Sequence, residues 1–443
     1  MAGGTWIEGV DKVRPGLYVN FKAKALERIK SAERGTVTMP LVLNWGAPKT
    51  FLRIETEGDV MAQLGFDINA QEMLLVREAK KKAKTLLIYR LNDGEKASAT
   101  FGTTPNVTTI TAKYSGTRGN DITVSSEVDV IDATKKVVKT LLKGRVVDEQ
   151  KVTNIQDLKQ NAWVTFSGTG TVQTTAGTPL TGGTNGTVIS QDHTDYLGAT
   201  ETQHFDVIAY PYDDPTLKTS FVTFIKRMRE EEGKKIQGVV ANHPADYEGI
   251  INVANGVKLN DGTLIDAVKA VAWAAGATAG ASIVHSNTYT AYEGAVDANP
   301  RLKNSEIIDA LKQGKFAFMH DGVRVKVEKD INSLVTYSQE RNNRFSKNRV
   351  IRVLDAIAND FARVVNESYI GKVDNSKDGH ALLKDAANQY LRALQDAGAI
   401  QNVDFINDFV VDPQKSLGDE VYATISVQPV DSMEKFYFNV EVR

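Results

Sequence analysis

The stretch FDVIAYPYDDPTLKTSFVTFIKRMREEEGKKIQGVVA, residues 205–241, carries the pattern from which the fold is read. FDVIAYP (205–211) is a short apolar run that stops at proline, as a buried strand does. Asp213 and Asp214 are helix-cap candidates, and Pro215 suits a first helical turn. Leu217, Phe221, Phe224, Ile225 and Met228 then recur at helical spacing until Gly233. IQGVVA (236–241) is a second short strand. The segment therefore reads as β-α-β, the repeating unit of an α/β layer.

The same grammar stands near the start of the chain. VTMPLVL (37–43) is followed by helical patterns from about Asp59 and from about Ala70, AQEMLLVREAKKKAK, and then by the strand TLLIYRL (85–91). From about Ala97 helical periodicity vanishes, and short strand-like runs rich in Thr, Ser, Gly and Val take over, such as TTITAKY and DITVSSEVDVI. Residues 160–191 contain no charged residue, and SGTGTVQTTAGTPLTGGTNGT within them is turn chemistry, expected as flexible, solvent-facing loops. Because α/β grammar flanks it on both sides, 97–190 is expected as an all-β domain inserted into one discontinuous α/β domain, 25–96 plus 191–314. An extended arm with the strand LYVNF (17–21) occupies 1–24.

Beyond the β-α-β unit, AVAWAAGATAGASIV (270–284) is uncharged but 15 residues long, short of the about 20 that a membrane span needs, so it is expected as a tightly packed core helix. SEIIDALKQG (305–314) reads as a helix with Ser305 as N-cap and Gly314 as stop. FAFMHDGVRVKVE (316–328) reads as a hairpin turning at Asp321-Gly322. Two amphipathic helices, about 344–370 and 380–397, and two closing strands complete a C-terminal α+β domain, 315–443. The expected class is α/β and α+β multidomain.

The 443 residues hold 53 Lys plus Arg against 55 Asp plus Glu, so no global field favours nucleic acid or an anionic membrane. The absence of cysteine removes disulfides, thiolate chemistry and Cys-ligated metals together, which suits a reducing compartment. The opening MAGGTWIEGVDKVRPG lacks a basic flank followed by an apolar run, so no export signal is expected.

A search for chemistry is negative. The six histidines are scattered singly, without an HExxH pattern or an i, i+4 pair. No GxxxxGK[ST] occurs, and no helix start follows Gly168 and Gly170 to receive a phosphate. DNSKDGHALLKD (374–385) spaces its oxygens like a calcium loop, but Ala381 and the short Asp385 stand where an apolar strand residue and a glutamate belong. Asn106, Asn185 and Asn366 begin chance sequons. No catalytic residue, cofactor or metal is expected.

Two features suit assembly. FYFNVEVR (436–443) alternates to the last residue, with Phe436, Phe438, Val440 and Val442 on one face. Such a strand either closes its own sheet or adds to a neighbour's. In the helix from about 341, Val350, Leu354, Ile357, Phe361 and Val364 share one face, opposite Arg341, Arg344, Arg349, Arg352 and Arg363. That basic face is either solvated or turned to an acidic partner.

RPGLYVNF, YSGTRGNDITV (114–124), LTGGTNGTV (180–188) before FDVIAYP, SKNRVIRVLDAIANDF (346–361), and YIGKVDNS leading to NQYLRALQDAGAI resemble contractile phage tail sheath proteins of Gram-positive phages, defective prophages and phage-tail-like bacteriocins. The resemblance covers most of the chain. It implies hexameric rings stacked helically around a tail tube, baseplate and tail-terminator partners, and contraction that drives the tube through an envelope. It further implies a virion tail or tail-like particle assembled in the host cytoplasm, without nucleic-acid or membrane partners. On it, 97–190 faces outward and 315–443 lies inward. Leu17, Tyr18, Val19, Phe21 and the 436–443 strand are exchanged with neighbouring subunits, and Arg341, Arg344, Arg349 and Arg352 face the tube. A cytoplasmic enzyme with a non-local site and a β-rich surface adhesin are the alternatives; the missing export signal counts against the adhesin.

Overall fold

The structure, a computed structural model, describes residues 2–4, 16–18 and 34–442. At its centre is a seven-stranded sheet in the order Lys315–Phe316, Ile250–Val253, Gln237–Ala241, Val207–Ala209, Thr36–Leu41, Thr85–Arg90 and Phe51–Ile54. Neighbouring strands are parallel except for the antiparallel edge strand Phe51–Ile54. A parallel sheet must be covered on both faces, and the period of two supplies both. Val207, Ala209, Val239 and Val253 point into one core with the Ala267–Gly280 helix. Ile208, Tyr210, Val240 and Ile250 point into a second with Phe221 and Ile225 of the Pro215–Glu230 helix.

The Ala267–Gly280 helix is the packed core element that its Ala and Gly content predicts. Asp266 caps it through Lys269 N at 2.8 Å, and Ala270 to Ala279 are buried. It crosses the Leu74–Lys80 helix so closely that a Cβ on Gly276 would lie 2.3 Å from the Ala79 carbonyl oxygen. Among the described residues no helix is long and apolar enough to cross a membrane.

The segment between Arg90 and Ser190 builds two antiparallel sheets, of four and three strands, from Ser98 to Pro179. The uncharged stretch is not a set of loose loops, as expected from its composition. Val164–Gly168 and Thr175–Pro179 are strands, and Trp163, Val172 and Leu180 are buried. Its end forms a joint. Asn92 donates to the Leu43 and Asn185 carbonyls at 2.7 and 2.6 Å and accepts from Leu43 N at 2.8 Å. Asn185 Oδ1 accepts from Thr117 N at 2.9 Å, and Asn120 exchanges two hydrogen bonds with the Gly183 backbone. The entering and leaving segments touch: a Cβ on Gly186, whose φ is +69°, would sit 1.8 Å from the Asp93 carbonyl oxygen. Buried Arg90 donates to the carbonyls of Gly46 at 2.6 Å and Ser115 at 2.9 Å, and burial lowers its pKa to about 10. Amide side chains and one buried guanidinium thus satisfy the buried backbone groups of this joint in place of water.

Smaller differences follow the same logic. The helix expected to be capped by Ser305 begins at Asn304, where the Glu306 carboxylate accepts from Lys303 N at 2.6 Å. The calcium-like run is a helix start, Lys377–Asp396, with Ser376 accepting from Gly379 N. Gly16–Tyr18 pairs in parallel with Ala2–Gly4; Val19 and Phe21 lie outside the described residues.

Candidate assembly surfaces

The Asn348–Val364 helix was expected to turn a row of arginines outward, and here the structure corrects the sequence. Its apolar residues Val353, Ile357 and Val364 pack on Tyr390, Leu391, Leu394 and Phe409. Its other side docks on the α/β unit. Arg352 is fully buried, donating to Asp330 Oδ2 at 2.8 Å and to the His285 carbonyl at 2.7 Å. Asp330 also accepts from Asn348 Nδ2 at 2.8 Å and from Asn287 N at 2.9 Å. One turn along, Asp355 takes a bidentate pair of 2.7 Å bonds from Arg229. A further turn along, Asn359 bonds both the N–H and the carbonyl of Lys235, at 3.0 and 2.9 Å. The stripe Arg352, Asp355, Asn359 mixes both charges with an amide at helical spacing. That mixture is the signal that sequence reasoning passed over, because a solvated basic face needs no acid within it.

Arg352 is therefore not available to a tube. Arg349 is half-buried, with Nη1 donating to Ser432 Oγ at 3.3 Å and burial lowering its pKa. Arg341 is exposed but lies 3.5 Å from Glu248 and 3.8 Å from Glu230. Arg344 is exposed, and among the described residues its side chain has no ion pair.

At the other end of the C-terminal unit, two short pairs of strands, Ile400–Gln401 with Gln428–Pro429 and Phe409–Val411 with Ala423–Ile425, close the fold. Past Val430, whose N–H donates to the Ala399 carbonyl at 2.9 Å, the run after them joins neither. Residues 430–442 have no ladder partner among the described residues. Phe436, Phe438, Val440 and Val442 are 62%, 82%, 84% and 94% exposed. Phe436 and Phe438 lie parallel with ring centres 6.1 Å apart, on one face as the alternation predicts. Chemistry is not concentrated anywhere comparable: among the described residues no three His, Cys, Asp or Glu side chains gather as a metal site would require.

Four protein-family models match successive parts of the chain. They are the tail sheath domain III N-terminal region at 34–91, the phage tail sheath β-sandwich domain at 92–185, the central domain at 186–333 and the C-terminal domain at 340–443. The phage-like element PBSX protein XkdK of Bacillus subtilis (strain 168) is 43% identical over the whole of both chains. The chain belongs to the phage tail sheath family. Its fold agrees with that of a sheath tail protein from Desulfitobacterium hafniense, with TM-score 0.86 and 46% identity over 95% of this chain and 98% of the other. The anti-feeding prophage sheath in its contracted state shares the fold at TM-score 0.58 and 12% identity, covering 97% of this chain and 99% of that one. The sheath family is structural and not enzymatic. The resemblance motifs have places in the sheath subunit: YSGTRGNDITV and LTGGTNGTV build the joint of the inserted domain, and SKNRVIRVLDAIANDF is the doubly docked helix.

Proposed function

We propose that this sheath subunit polymerises as stacked hexameric rings around a tail tube, bounded by baseplate and tail-terminator proteins, and contracts to drive the tube through a bacterial envelope. The observation that supports this is the terminal run: a segment without a ladder partner among the described residues whose Phe436, Phe438, Val440 and Val442 side chains are exposed. Such a segment adds to the sheet of a neighbouring subunit, and the same exchange is proposed for the sequence 17–21 at the other end of the chain. Backbone bonds of this kind break collectively, so subunits rotate and slide while staying joined. Contraction is then a rearrangement of the lattice from a metastable extended state, and no nucleotide is consumed. The 97–190 domain faces outward, where its Val130-Ile131 hairpin tip, almost wholly exposed, meets solvent.

Negative-stain microscopy of the purified chain tests this. Tubes or rings with the β domain at the outer radius are expected; discrete small particles at high protein concentration would overturn self-polymerisation through the terminal run. Of the four arginines, Arg344 is the one proposed to face an acidic tube surface. Arg344→Glu should weaken co-sedimentation with tubes at low salt, and added salt should weaken the unaltered subunit in the same way. Undiminished docking of the variant at low salt would remove Arg344 from the interface.

A further inference from the structure

The terminal run leaves the body through a compact polar cluster. Lys347, just before the Asn348–Val364 helix, is ion-paired with Glu434 and lies 3.7 Å from Asp431. The second Glu434 oxygen accepts from Thr288 Oγ1 at 2.9 Å. Ser432 Oγ accepts from Arg349 at 3.3 Å. Thr288 Oγ1 in turn accepts from Asp330 N at 3.0 Å, and the Asp330 carboxylate holds buried Arg352. A continuous run of polar contacts thus leads from Glu434 to the pair that joins the C-terminal unit to the α/β unit.

The electrostatics favour a carboxylate at this point. A cleft of about 420 Å³ beside the cluster is lined by Lys329, Lys347 and Lys435 together with Asn343, Glu434 and Phe436. Lys329 is half-buried there, and its pKa is lowered by burial and by the Lys347 charge. The Glu434 side chain is only 11% exposed, whereas Phe436, two residues on, is 62% exposed and Tyr437 87%. Order imposed by side-chain contacts therefore stops at Lys435.

We infer that residues 431–434 are a clasp that fixes the root of the terminal arm to both units of the subunit. Glu434 is its positioning residue, and the arm swings only from Lys435 onward. This rests on the arm's role as a strand given to a second copy of the chain. Under that role the clasp sets the direction in which the strand leaves. It also delivers tension on the arm to Lys347 and Thr288, and so to both units at once, instead of peeling 431–434 from the surface.

Trypsin cleavage after Lys435 reads the clasp directly, because a protease needs the residues before the cut to be free of the body. The full-length soluble subunit and its Glu434→Gln variant are digested, release of the 436–443 octapeptide is followed by mass spectrometry, and each rate is divided by that of a free peptide spanning 428–443 of the same sequence. The variant's normalised rate should rise about tenfold, the loss of a charged hydrogen bond, and sheath formation should fall. High salt should raise the normalised rate of the unaltered subunit, a second measurement that needs no variant. Unchanged rates in both experiments overturn the clasp, whatever happens to assembly. A raised rate with normal assembly overturns the positioning role while leaving the contacts real. Loss of assembly with an unchanged rate also overturns it, since Glu434 would then act at the interface itself.

Discussion

A subunit truncated after Lys435 is expected to fold as the full-length chain does and to form no sheath. Within the subunit, the removed residues give up little. The side chains of Phe436, Phe438, Val440 and Val442 are exposed, and the stacked pair of rings is removed as a unit. Changes at such positions stay within about 0.5 kcal/mol of neutral. Against a neighbouring subunit the account reverses. Burying a Val or Phe side chain contributes roughly 1.5–3 kcal/mol, so four on one face together with their strand hydrogen bonds outweigh the cost of ordering the arm. Losing even about 4 kcal/mol of that raises the concentration needed for assembly by roughly a thousandfold. Thermal unfolding should superimpose for the two chains while sedimentation and microscopy separate them. Normal sheaths from the truncated chain would assign the run to its own subunit and end the strand-exchange mechanism.

The largest expected loss of stability comes from a single buried carboxylate. Asp330→Ala leaves the Arg352 guanidinium wholly buried without its acid, and it strips partners from Asn287 N and Asn348 Nδ2 as well. Breaking one side of such a pair costs about 3–5 kcal/mol, chiefly because the remaining charge is stranded. Arg344→Ala, on an exposed side chain, should change stability by no more than about 0.5 kcal/mol. Chemical denaturation of both variants makes the comparison, read as the shift in midpoint at unchanged slope. Equal midpoints would mean that the Asp330–Arg352 pair contributes nothing to holding the Asn348–Val364 helix.

Local pattern carried the core of this fold, and long-range pairing escaped it. Asp214 and Pro215 mark the start of the Pro215–Glu230 helix because capping is a property of neighbouring residues. The stacking of Phe436 on Phe438 is likewise local, since residues two apart in sequence need no distant partner to meet. That the Thr36–Leu41 strand lies between Val207–Ala209 and Thr85–Arg90 could not be read, since a parallel strand that is apolar on both faces carries no mark of its neighbour. The arginine face failed for a related reason. Asp355 meets Arg229 across 126 residues of sequence, and until that partner is known a row of charge looks solvated. The 160–191 stretch misleads through composition: its glycines and polar residues read as loose loops, yet the Asn185 side chain accepts from Thr117 N and the Gly183 carbonyl accepts from the Asn120 side chain.

The contact between Asp93 and Gly186 also bears on how such chains diversify. The backbone leaves the central sheet and comes back through one point, and the Arg90 bond to the Ser115 carbonyl adds a further tie beside it. Whatever is spliced there must start and finish side by side and offer buried Arg90 an acceptor in place of the Ser115 carbonyl. Evolution can lengthen, trim or replace that module without renegotiating the strand order beneath it, and an engineer can graft a foreign domain at the same doorway.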